Sequence, residues 1–132
     1  MKHLLFALCL LALGALVAPA ADLPAADAAL IEGAGVPLYP GATFATGNKD
    51  VGFRFATSES PDVVRKWYQE KLASWSLFDQ YNSWILHEGE PVKGLGELMS
   101  RSQVQVQTND MLPEWHQVDK NMTTEIVIMV FK

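Results

Sequence analysis

Between residues 58 and 75 the chain spells out one helix. Ser58-Glu59-Ser60-Pro61-Asp62 supplies a serine N-cap, a proline at the first helical position and an acid at the positive end of the helix dipole. At about 100° per residue, Val64, Trp67, Tyr68, Leu72 and Trp75 share one arc, with Asp62, Arg65, Lys66, Gln69 and Ala73 opposite. So wide an aromatic stripe must cover something, and the flanking segments are β-patterned. The helix is predicted to run from Pro61 to about Trp75 and to lie across a sheet. Lys71 falls inside the apolar arc; its stem is expected along the sheet edge, with the ammonium in water near the helix C-terminus.

The strands are read from alternation and punctuation. Pro40-Gly41 fits the centre of a type II turn, a first strand is expected over residues 42–46, and Gly47-Asn48-Lys49-Asp50 turns the chain. In Val51 to Thr57 the large apolar groups occupy positions 51, 53 and 55, the mark of a half-buried strand. After the helix, strands are expected near Leu77–Tyr81 and Ser83–His87. Val92, Leu95, Leu98 and Met99 have helical spacing, but Gly94 and Gly96 limit that segment to a turn or two. Ser102 to Thr108 alternates apolar residues with glutamines, and Thr123 to Phe131 is a near-continuous apolar and β-branched run that suits an inner strand. These last two are expected to pair antiparallel. The fold class is therefore α+β, an antiparallel sheet of four to five strands with one long helix on one face.

At the N-terminus, Lys2 and His3 precede fourteen apolar residues from Leu4 to Val17, followed by Ala18-Pro19-Ala20. That is the layout of a secretory signal peptide cut after Ala20, and it is shorter than the roughly 20 residues a spanning helix needs. A periplasmic or secreted location follows as an expectation, with no transmembrane segment after cleavage. Residues 21–35 read as an Ala-rich leader that is either a tether or a short helix near Pro24–Glu32, and residues 36–132 as a single domain. Cleavage removes Cys9, the only cysteine, so the domain must be held by its core rather than by a disulfide. It leaves nine basic against fifteen acidic side chains, a net charge of −6. Such a surface repels phosphate polymers, and nucleic acid is not an expected partner.

Residues Pro37 to Ala42, Phe55-Ala56-Thr57, Ser60-Pro61-Asp62-Val63-Val64 and Trp67-Tyr68 to Leu72 form a recurring set. Together they resemble a group of small exported bacterial domains of unassigned function, with a Pro-x-Tyr-Pro-Gly-Ala opening and a Ser-Pro-capped Trp-Tyr helix. The resemblance covers roughly a third of the chain. It implies the fold and an exported location, and it brings no catalytic residues.

Chemistry-bearing patterns are sparse. There is no Gly-x-Ser-x-Gly turn, and Gly94-Leu95-Gly96 is too short for a phosphate loop. His87 with Glu88 and Glu90, and His116 with Asp119, would hold a metal ion only if their two loops met at one end of the sheet, which nothing in the sequence indicates, and two loop histidines beside acids are ordinarily solvated. Asn121-Met122-Thr123 matches a glycosylation acceptor, which in a bacterial protein would be accidental. The most suggestive segment is Asn109 to Val118, where Met111, Leu112, Trp115 and His116 form a candidate partner-binding loop; the alternative is that this loop caps the core. The reading is a non-enzymatic domain that binds another envelope protein and needs no cofactor. The alternative is a small-molecule or metal carrier with a pocket between helix and sheet lined by Trp67, Trp75 and Trp84.

Overall fold

The computed structural model describes residues 23–110 and 121–131. The segment read as a signal peptide and the candidate loop residues Met111, Leu112, Trp115 and His116 lie outside the described residues.

Among the described residues, six strands and two α-helices follow one another. Helix α1 (Ala25–Gly33) leads into β1 (Thr43–Asn48) and β2 (Gly52–Thr57), then α2 (Pro61–Lys71), then β3 (Ser76–Gln80), β4 (Ser83–His87), a 3₁₀ helix over Leu95–Ser100, β5 (Gln103–Thr108) and β6 (Thr124–Met129). The strands form one antiparallel sheet in the order β1-β2-β6-β5-β4-β3, with β6 inserted between the first hairpin and the later meander. The α+β class holds, and the sheet has six strands rather than four to five. All six segments read as strands from the sequence, β3 at the edge among them, join this one sheet.

Helix α2 begins as its sequence requires. The Ser60 hydroxyl accepts a hydrogen bond from the Val63 N–H at 3.4 Å, and Pro61 occupies the first turn. It ends at Lys71 rather than near Trp75. Leu72 leaves the helical region at φ −114°, and Trp75 N–H returns to the Leu72 carbonyl in a turn that feeds β3. The stripe nevertheless does its work: Val64 and Tyr68 are fully buried and Leu72 nearly so, over a sheet face built from Phe53, Phe55, Val104, Val106, Ile126 and Ile128. Each such side chain contributes roughly 1.5–3 kcal/mol on burial before entropy is counted.

Two cations of the helix lie against tryptophan rings. Lys71 is exposed in the last turn of the helix, as expected, and its ammonium lies 5.7 Å from the centre of the Trp67 ring. Arg65, on the polar arc, turns inward. Its guanidinium stacks 5.7 Å over Trp84 and donates to the Val106 carbonyl at 3.0 Å.

The Pro40-Gly41 turn forms as expected, with Ala42 N–H donating to the Tyr39 carbonyl at 3.1 Å and Gly41 at φ +81°. Val51, assigned to the buried face of the second strand, is instead 64% exposed, because the strand begins at Gly52 and Val51 closes an Asn48-capped turn. In the stretch read as a leader, α1 packs Ile31 into the main core at 1% exposure, beside Val36. Among the described residues, no helix is long and apolar enough to cross a membrane.

Candidate binding site on the second face of the sheet

Only one face of the sheet is covered by α2. The alternation of β5, β6 and β4 sends Gln103, Gln105, Gln107, Glu125, Val127, Met129 and Ile85 to the other face, together with Arg54 of β2 and Phe78 of β3. That face divides into a polar half and an apolar half.

In the polar half, Glu125 is fully buried on a central strand. Its carboxylate takes an Arg54 guanidinium hydrogen at 2.5 Å on Oε2 and the Gln107 amide at 2.9 Å on Oε1. Each oxygen accepts one hydrogen bond and the side chain has no exposed surface, so this acid ties strands β2, β6 and β5 together.

The apolar half lies beneath a strap formed by residues 88–101. Four sets of bonds fix the strap. The Glu97 carboxylate accepts from the backbone N–H groups of Lys93 at 2.7 Å and Gly94 at 3.3 Å, closing the start of the 3₁₀ helix. Arg101 donates to the Glu88 and Glu90 carbonyls. Ser76 Oγ donates to the Gly89 carbonyl at 2.7 Å. Gln103 rises from β5 and spends its amide hydrogens on the Leu98 and Arg101 carbonyls, at 2.8 and 3.1 Å. Under this strap Leu98 closes on Phe78 and Ile85, with Val92 at the side, making a second small core.

The strap covers the face incompletely. Between the 3₁₀ helix and the ends of β5 and β6 lies a hollow of about 190 Å³ lined by Ile85, Leu95, Leu98, Met99, Gln103, Gln105, Met129 and Phe131. Leu95 and Met99 stand on its rim at 45% and 74% exposure. Its polar floor is preset, since Gln105 Nε2 donates to Gln103 Oε1 at 2.9 Å and touches the Met129 sulfur at 3.9 Å. Size decides what it can hold. Drug-sized ligands need about 300–1,000 Å³, whereas a cavity near 150 Å³ takes one aromatic ring. This hollow therefore suits a single large apolar group, and two methionines in its wall let it adapt in shape.

His87 stands next to this region and corrects an expectation. It is fully buried at the end of β4 rather than solvated in a loop. Its Nδ1 lies 2.9 Å from the Glu88 carbonyl and so carries the hydrogen, which leaves Nε2 as a buried acceptor without a partner among the described residues. Glu88 and Glu90 sit in the bend beyond the strand. Among the described residues no three His, Cys, Asp or Glu side chains are grouped so as to hold a metal ion.

Of the rings anticipated to line a pocket between helix and sheet, Trp67 and Trp84 are packed against neighbouring side chains and Trp75 is half-buried. Trp67 is gripped edge-on by Tyr39 at 5.1 Å and Tyr68 at 4.9 Å, and Trp84 is 8% exposed beneath Arg65. Burial pushes the Tyr68 phenol above its ordinary range, and its hydroxyl donates to the Pro37 carbonyl at 3.0 Å, tying α2 to the segment that precedes β1. A second hollow, about 310 Å³, lies between α1 and residues 36–38, lined by Ala28, Ile31, Glu32, Val36, Pro37 and Leu38.

The second-face hollow escaped sequence reasoning because its walls come from β4, β5, β6 and a glycine-weakened segment. The only local signal was the helical spacing of Leu95, Leu98 and Met99. Comparison with protein-family models, with curated proteins and with solved structures finds no match to this chain.

Proposed function

We propose that this chain is an exported, non-enzymatic interaction domain of the cell envelope, and that it holds one large apolar side chain of a partner protein in the hollow on the second sheet face. The N-terminal Lys2-His3 and Leu4–Val17 pattern supports export. The observation that carries the interaction reading is the hollow itself. Its volume fits one side chain, its rim exposes Met99 and Leu95, and its floor is held rigid by the Gln103–Gln105 pair. Binding hot spots take this form, a single anchor entering a pre-shaped pocket.

The test is to fill the hollow from within. Leu95→Trp places an indole where the anchor would sit, at a half-exposed position whose change leaves the main core untouched. A partner recovered from envelope extract by the native protein, lost by folded Leu95→Trp and regained when residue 95 is Ala supports the reading. Equal recovery by native protein and Leu95→Trp contradicts it. Binding of a small aromatic molecule at this hollow, with no protein partner, would assign the site to a carrier instead.

A further inference from the structure

The two edges of the sheet are built differently. At the β1 edge the register slips between Phe44 and Thr46, a bulge of the kind that stops an edge from templating another strand. At the β3 edge pairing is unbroken from Ser76↔His87 to Gln80↔Ser83. Ser76-Leu77-Phe78-Asp79-Gln80 contains no lysine, no proline and one charge, Asp79. Leu77 is 40% exposed and Tyr81, at the adjoining turn, 74%. Among the described residues nothing pairs with the outer side of β3.

The turn fixes which groups point outward. Tyr81 and Asn82 have φ of 56° and 60°, the signature of a two-residue type I′ hairpin. In such a hairpin the flanking pair, Gln80 and Ser83, exchanges both backbone hydrogen bonds, and alternate residues follow suit. Ser76, Phe78 and Gln80 therefore direct their N–H and C=O groups to β4. Leu77 and Asp79 present theirs to the outside.

We infer that β3 pairs antiparallel with β3 of a second copy of this chain about a two-fold axis through Phe78, extending the sheet to twelve strands. Among two-fold registers, centring on Asp79 sets two carboxylates face to face, which is destabilising. Centring on Leu77 leaves only three of the five strand residues paired. Centring on Phe78 pairs all five, sets Leu77 opposite the partner's Asp79 twice, and gives each such pair two backbone hydrogen bonds. It also leaves Phe78, whose polar groups are already satisfied by β4, as the non-bonded central pair. So small an interface is below the roughly 1,200 Å² of stable complexes, so the dimer is reversible and concentration-dependent.

Sedimentation equilibrium on the protein as the cell processes it tests this. Leu77→Lys meets the partner's Asp79 with opposite charge and Leu77→Glu meets it with like charge, two contacts each by symmetry. The dissociation constant is expected to fall for Leu77→Lys and rise for Leu77→Glu, each by about 2- to 30-fold. Asp79→Pro removes an outward N–H without touching the β3–β4 ladder, a position where an edge proline is tolerated. It is expected to give a monomer with native circular dichroism. Loss of dimer by both charged variants would show an apolar contact of another register and overturn the pairing, as would native-like association of Asp79→Pro or a monomeric wild type up to about 1 mM.

Discussion

Arg54→Ala probes the one fully buried charge in the described residues for which the structure gives a complete partner set. Glu125 has no exposed surface and depends on Arg54 at 2.5 Å and Gln107 at 2.9 Å. Removing one partner of a fully buried pair costs about 3–5 kcal/mol, because the remaining charge is stranded. Here the Arg54 side chain is 42% exposed, so water can enter the space it vacates, and Gln107 still serves one carboxylate oxygen. The expected loss is therefore nearer ~2 kcal/mol. With a urea m-value of about 1–3 kcal/mol/M, the unfolding midpoint should drop by ~1 M. Replacing both residues by leucine should recover most of the loss, since a buried pair exchanged for apolar groups of similar volume is often neutral. The assay is urea unfolding of wild type, Arg54→Ala, Glu125→Leu and Arg54→Ala/Glu125→Leu, read as a cycle, with Arg54→Leu/Glu125→Leu measured beside them. A loss below ~0.5 kcal/mol for Arg54→Ala, with no coupling to Glu125, would refute the reasoning that this pair bolts β2, β6 and β5 together.

Three further outcomes follow from single contacts. The buried Tyr68 phenol has its pKa raised in the folded state, so its stabilising contribution is complete below about pH 10 and lost as pH rises beyond it. Tyr68→Phe should cost ~1 kcal/mol at neutral pH, from the lost bond to Pro37, and flatten the alkaline fall in stability, measured by thermal melts from pH 8 to 11. Gly47→Ala should be among the most damaging changes outside the core. Residue 47 has φ +113° and a methyl there would lie 2.0 Å from the Gly52 carbonyl oxygen, so an expected loss above ~2 kcal/mol in urea unfolding checks the tightness of the first hairpin. His87→Leu, though at a fully buried position, should change stability by less than ~1 kcal/mol, because it deletes an acceptor unpartnered among the described residues and Arg101 still donates to the Glu88 carbonyl.

What the sequence made legible is what local chemistry decides. Ser60-Pro61 started α2, Pro40-Gly41 made its turn, and the glutamine alternation of β5 set its two faces. The helix end was overestimated because periodicity continues through Leu72 and Trp75, whereas the chain needs those residues to turn into β3. Val51 was drawn into the strand by an alternation that continued across a turn. The second face was not legible at all. Glu125 finds its arginine 71 residues upstream, and the strap beside His87 is held by bonds from Ser76, Arg101 and Gln103 as well as by its own Glu97.

The most direct measurement of the central claim is photocrosslinking in the envelope from single positions on opposite faces. A photoreactive residue at Met99, on the rim of the hollow, is expected to capture a partner peptide with the bond on or beside a large apolar side chain. One at Lys66, on the exposed arc of α2, is expected to capture nothing above background. Crosslinking at Lys66 and none at Met99 would place the interaction on the helix face and contradict the account.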